Sequence, residues 1–406
     1  MWHWIKHWLD WVMSDALPLS RSRPHGQALH TRYEKAGLTL YDLPVPWNAD
    51  AVVVEAVLTL RTAASRHKAN FSLRLPGREA IAAESLRCEA GDRHRLTFRL
   101  PVPKAHVTGE LLWKQRFMSQ VTIPVLTAED FLNGLRLTLP TVSVRLGQRT
   151  VAAQTFVASQ CKGLVASCVL RSPTALAPLA DLGLQAAFRC DRTGAEYIVP
   201  ASLSSSQLTS KEAVIAVTPP KVPKRAGTWS VAWQAGDREL HRQLVHGISA
   251  RRFDRSLRVS DTRFVIGDKA GHVRFAKQPP VSGEFARLGP CFLIASAEPG
   301  MAGECRLQVQ IGGSNSARPH SSEHDLLITD GPTMFAPGMV EAAELDRVSG
   351  FELRNKGRLL GTASLSPVPA AAVTAEGGFK PTPDFAWSSA ADDELSERLN
   401  RLMNGG

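Results

Sequence analysis

The chain lacks any run of about 18 or more apolar residues, so no helix encoded here is long enough to span a bilayer. Its first apolar stretch is broken by Lys6, His7 and Asp10, which leaves no continuous core for a secretory signal. No G-x-G-x-x-G follows a strand pattern, and no G-x-x-x-x-G-K-[ST] string occurs, so no nucleotide cradle is encoded locally. The G-x-S-x-G elbow of the α/β hydrolases is also missing. The six cysteines are Cys88, Cys161, Cys168, Cys190, Cys291 and Cys305; none forms a C-x-x-C pair or has a His at metal-ligand spacing. Most sit in apolar runs such as 289–294, and they read as reduced, buried thiols of a cytoplasmic protein. The expectation is a non-enzymatic chain with no catalytic residue, metal, cofactor or small-molecule substrate.

What is present fits packed, soluble domains. With 406 residues, 44% hydrophobic and 21% charged, the chain is too long for one core. Gly 30 and Pro 26 are spread throughout, as many short elements separated by turns require. The formal charge of +10 is uneven. Residues 131–250 carry 13 Lys+Arg against 6 Asp+Glu, whereas 301–406 carry 9 against 14. A basic middle suits nucleic acid or another acidic partner. A solvated, arginine-rich surface is the simpler reading.

One local pattern recurs. Phe131, three residues, Leu135, Arg136 and Leu137 match Phe253, three residues, Leu257, Arg258 and Val259, 122 residues later. A looser copy runs from Tyr33 to Leu40. These read as the starts of three consecutive units, where the last strand of one hands over to the first of the next. Between them the pattern is strand-like. Residues 52–60 are rich in β-branched side chains, and 71–75 and 94–100 alternate apolar with polar and stop at Pro76 and Pro101. Each unit ends in a strand, a turn and a returning strand, with Trp113, Trp233 and Arg354 about 120 residues apart. A period of that size with a closing hairpin predicts a mainly β protein of three tandem immunoglobulin-like antiparallel sandwiches. The Cys–Trp–Cys spacing of true immunoglobulin domains is absent. The expected division is 1–14, 15–31, 32–128, 129–249, 250–370, 371–386 and 387–406.

The two ends differ from the body. On a helical wheel, Trp2, Trp4, Ile5, Trp8, Leu9, Trp11 and Val12, with Met1 and Met13, fill one arc of about 200°. Lys6, Asp10, His3, His7 and Ser14 fill the rest. Residues 1–14 therefore read as an amphipathic helix, and 15–31 as a polar tether. After a linker rich in Pro, Ala and Gly, residues 387–406 read as a second amphipathic helix. Its apolar stripe holds Trp387, Leu395, Leu399 and Leu402, and Asp392, Asp393 and Glu394 crowd its first turn. These two stripes are the predicted partner-binding residues.

Three local motifs weigh less. His320-Ser321-Ser322-Glu323-His324 fits the string H-x-x-E-H, but it follows a Gly/Ser/Pro stretch and reads as a polar loop. His241 and His246 flank strand residues and read as surface or hydrogen-bonded histidines. Arg251, Arg252, Arg255 and Arg258 could meet phosphate, but pairing with Asp254 and Asp261 is the simpler expectation. The leading reading is an adaptor or scaffold subunit of a multi-protein assembly that docks protein partners through its terminal helices and sandwich surfaces. The alternatives are a membrane surface met by residues 1–14, and nucleic acid met by the basic middle.

Overall fold

The computed structural model describes residues 24–365 except 62–65, 223, 279–284 and 314–319. Both proposed terminal helices lie outside them. The protein is mainly β, and its sheets are predominantly antiparallel.

The first strand, β1 (His25–Lys35), pairs with β2 (Ala51–Thr59), and β2 pairs in turn with β4 (Arg93–Leu100). A second sheet holds β3 (Phe71–Arg74), β5 (Val107–Trp113) and β6 (Arg116–Ile123). Strand β4 buries alternate side chains, His94, Leu96, Phe98 and Leu100, as a half-buried strand must. Strand β2 is central and buried on both faces, so its Glu55 needs partners; Arg32 Nε lies at 3.1 Å and Arg95 Nη1 at 3.5 Å. One buried cluster, including Tyr33, Val54, Phe71, Phe98 and Ile123, joins the two sheets.

Two expectations need correction here. Residues 25–31, read as tether, belong to β1: all but Gln27, where the register shifts, pair with β2 from Thr59 to Val54. The Tyr33 copy of the joint is a hairpin: Ala36 and Gly37 have φ of 50° and 76°, and the chain returns through Leu38–Leu40.

The other two copies fold alike. Helix α1 (Ala128–Gly134) leads into β7 (Arg136–Leu146). The middle part then runs through β8 (Thr155–Val157), β9 (Cys161–Arg171), α2 (Leu179–Leu182), β10 (Leu184–Cys190), β11 (Glu196–Pro200), β12 (Glu212–Val217), β13 (Gly227–Ala235) and β14 (Arg238–Ile248). Helix α3 (Ala250–Ser256) follows, and then β15 (Leu257–Gly267), β16 (Arg287–Ser296), β17 (Met301–Gly313), β18 (His320–Ile328), β19 (Val348–Asn355) and β20 (Arg358–Ser364). The joints are therefore helices of about two turns, not direct strand hand-overs. Thr127 caps α1 by accepting from Asp130 N, and Ser249 caps α3 by accepting from Arg252 N, each worth about 1 kcal/mol. In each helix one large side chain turns inward. Phe131 is 0% and Phe253 1% exposed, and each fills the core that follows it.

The closing hairpins come back onto these helices. Their two-residue turns lie at Lys114-Gln115, Gly236-Asp237 and Lys356-Gly357, between the pairs Trp113↔Arg116, Ala235↔Arg238 and Asn355↔Arg358. The structural repeat thus aligns Trp113 with Ala235 and Asn355, two residues later than Trp233 and one later than Arg354. Arg238 donates to the Asn133 side chain of α1. Arg358 donates to the Arg255 and Leu257 carbonyls at the end of α3, at 3.3 and 3.0 Å, and Lys356 meets Asp254 at 2.7 Å.

The junctions differ in chemistry. At the first, Lys35, 3% exposed, donates to Asn48 O at 2.6 Å and to the Asp181 carboxylate on α2, with Asp50 at 3.5 Å. Asp42 accepts from Ala175 N at 2.7 Å and pairs with Lys211 at 3.0 Å. The Trp47 ring lies 5.9 Å from that of Phe131. Asp181→Ala leaves a buried ammonium short of a partner, and should cost about 1–2 kcal/mol in urea denaturation. Asp181→Asn, which keeps an acceptor, should cost less.

At the second junction the sheet is continuous. Strand β8 pairs in parallel with β14 on one side and β17 on the other, which joins eight strands, plus β18 on β17, into one nine-stranded sheet. Adjacent side chains of a strand point to opposite faces. Accordingly Phe156 belongs to the middle core and Val157 to the third. Gly303 permits the approach, since a Cβ there would lie 2.7 Å from Val157 Cγ2. Gln160 seals it: its side chain donates to Glu304 O at 2.6 Å and accepts from Glu304 N at 2.8 Å.

Candidate binding cleft at the second joint

The seven residues of α3 sort by burial. Phe253 and Ser256 turn inward, and Arg251, Arg252 and Arg255 stay exposed, with Arg258 exposed on β15 just beyond. A groove of about 550 Å³ lies among these four arginines, with Ser249, Ser256, Ala297 and Glu298 completing its wall. A second hollow of about 740 Å³ adjoins it and shares Ser249, Arg252 and Glu298. It adds Thr155 from β8, Asp191 and Arg192 from the turn after β10, and Thr228 and His246 from the closing hairpin. The two form one cleft across the continuous sheet.

The pairing inside it differs from the sequence expectation. Arg252 is bidentate to Glu298, at 2.7 and 2.8 Å. That bonded carboxylate raises the Arg252 guanidinium above its ordinary value and fixes it as wall. Asp254 turns away to Asn355 and Lys356, and Asp261 bonds Arg263 at 2.9 Å. Among the described residues, Arg251, Arg255 and Arg258 have no side-chain ion-pair partner, so the expected pairing with Asp254 and Asp261 does not form. The reason is geometric: Asp254 faces the β19–β20 turn, and its neighbours in sequence face the groove. His246 Nδ1 lies 3.3 Å from Thr228 Oγ1, a hydrogen-bonded surface histidine.

The remaining sequence candidates fall elsewhere. Trp2, Trp4, Ile5, Trp8, Leu9, Trp11, Val12, Trp387, Leu395, Leu399 and Leu402 lie outside the described residues. The H-x-x-E-H string lies on β18, not in a loop. A strand sends Glu323 to the face opposite His324, whereas the zinc chemistry needs the string on a helix. His324 Nε2 instead meets Ser322 Oγ at 2.8 Å, and its ring packs edge-on against Phe335 at 5.3 Å.

Five thiols are buried and Cys88 is exposed. Burial pushes Cys161 up to about 11 and Cys168, Cys291 and Cys305 up to about 12, so they stay protonated core atoms.

Sequence reasoning found the arginines of the cleft but not Arg192, Thr228 or Glu298. Nothing local marks Glu298; it reaches Arg252 only because β16 and α3 meet in space.

No family model matches the chain, and no curated protein matches it. Among solved structures it is similar to InvD of Yersinia pseudotuberculosis, at 12% identity over 80% of this chain and 97% of that one, with a TM-score of 0.22. It is also similar to the I9–I11 tandem of titin, at 10% identity over 77% and 91%, with a TM-score of 0.24. Domains 4–9 of the surface layer protein SbsC align at 10% identity over 84% and 47%, with a TM-score of 0.29. Overlaps this low leave the functional reading to the chain's own residues.

Proposed function

We propose that the chain is a non-enzymatic scaffold or adaptor subunit of a multi-protein assembly, built as three tandem sandwiches with docking helices at its ends. The observation that carries this reading is β8, whose Phe156 and Val157 enter two different cores. A strand shared in this way holds the surfaces on either side of the second joint at a fixed spacing, which is what a scaffold supplies. The joint helices support the same reading, because each closing hairpin sends an arginine to the helix that begins its own unit, Arg238 to the Asn133 side chain and Arg358 to the carbonyls ending α3. A cytoplasmic location belongs to the proposal and is supported by thiols packed as protonated core atoms.

The experiment is purification of the intact protein from its source, with mass spectrometry of what accompanies it. Deleting residues 1–14 should remove the partner and leave the melting curve of the body unchanged. Undiminished co-purification would sink the docking role of that helix. Flotation on anionic liposomes, lost with Trp4→Ala and Trp8→Ala, would instead favour the membrane reading.

A further inference from the structure

We infer that the arginine-lined cleft at the second joint is an acidic-peptide site, and that its first occupant is the chain's own segment Asp392–Glu397. This goes beyond the scaffold reading and does not depend on it.

The cleft supplies one half of the chemistry. Arg251, Arg255 and Arg258 present three exposed guanidinium forks with no ion-paired carboxylate among the described residues. Planar forks of this kind take carboxylates two oxygens at a time. Arg192 adds a fourth cation at the far side, next to the Asp191 carboxylate that accepts from Thr228 N at 2.8 Å, and the Glu298 charge is already matched by Arg252. The walls are Arg, Ser, Thr, Gly, Ala, Pro, His, Ile, Asp and Glu, with no Phe, Tyr or Trp. Single-stranded nucleic acid is held largely by bases stacked on such rings, so a lining whose single aromatic ring is the His246 imidazole favours carboxylates over bases.

The sequence supplies the other half. Asp384, Asp392, Asp393, Glu394 and Glu397 follow one another with no Lys or Arg among residues 381–397. The distance is right as well. Arg358, at the start of β20, bonds the carbonyls of the joint. Leu365 therefore lies about 20 Å away, the length of that strand. Asp392 is 27 residues further on. Twenty-seven residues can reach at most about 90 Å, well beyond the gap to be closed. A tether long enough to span its gap gives an effective concentration of up to about the millimolar range. Weak ion pairs then suffice to fill the cleft, and an acidic partner segment would have to displace the tail.

The test uses the full chain. A fluorescent peptide with the sequence of residues 384–400 is titrated against wild type and against the chain carrying Asp392→Asn, Asp393→Asn and Glu394→Gln. The peptide should bind the neutralised-tail chain about tenfold more tightly than wild type, since no tail competes. Adding Arg251→Glu, Arg255→Glu and Arg258→Glu should abolish that binding, and the Gln series, matched in melting temperature, should weaken it. Equal affinity for wild type and neutralised tail would overturn the tail as occupant. Binding to neither chain, or binding untouched by the arginine changes, would overturn the site. An oligonucleotide of the same charge that outcompetes the peptide at these arginines would overturn the peptide in favour of a phosphodiester.

Discussion

Phe253→Ala should lower the stability of the third core by about 3–5 kcal/mol, a large share of the roughly 5–15 kcal/mol a domain usually has. Phe253 is the one large apolar side chain of α3, and it is 1% exposed in a core with Val157, Ile248, Phe292 and Leu307. Its ring ends against Gly303, where an added Cβ would stand 3.0 Å from Cζ, so backbone closes one end of the space that truncation leaves. Removing the ring also unpins α3, and with it the arginines of the cleft. Urea denaturation read by circular dichroism measures the loss, and Phe253→Leu should recover most of it. A cost below about 1 kcal/mol would mean that the joint helix merely bridges two independent bodies.

Val157→Asp should have an effect of similar size but a different signature. It places a carboxylate with 0% exposure among aliphatic side chains, a burial that costs several kcal/mol without a partner. The neighbouring Phe156 faces the other core, so Val157→Asp should open the third core and largely spare the middle one. Phe156→Ala should do the reverse. Denaturation of the Val157→Asp chain should therefore split into two steps.

How much of this could be read from the sequence depends on the range of each interaction. The closing hairpins were legible because both strands and the turn lie within about twenty residues and alternate with period two. The repeat of Phe131 and Phe253 was legible as a marker, and its spacing is that of a buried side chain in a capped helical turn. The helix itself was missed because it has seven residues, too few for periodicity to show. Strand β8 is only three residues long, and it pairs with Met301 and Ala302 far along the chain, so no local pattern could reveal it. The cleft was half legible. The arginines stand together in the sequence, but which acids they meet is decided by packing. Asp254 is a sequence neighbour that faces away, and Glu298 is a distant residue that closes the wall.

The five buried thiols supply the measurement that bears most directly on the shared strand. Cys161, Cys168 and Cys190 report on the middle core, and Cys305 on the third. Cys291 packs with Val265 beside it. All are buried when folded, and so are shielded from alkylation. Pulsed alkylation across a urea series, read by mass spectrometry at each cysteine, gives a midpoint for each core. If β8 binds the middle and third cores into one cooperative body, Cys161, Cys168, Cys190, Cys291 and Cys305 become reactive at a single midpoint in the wild type, and Val157→Asp splits them into two groups. Two separate midpoints in the wild type would contradict it.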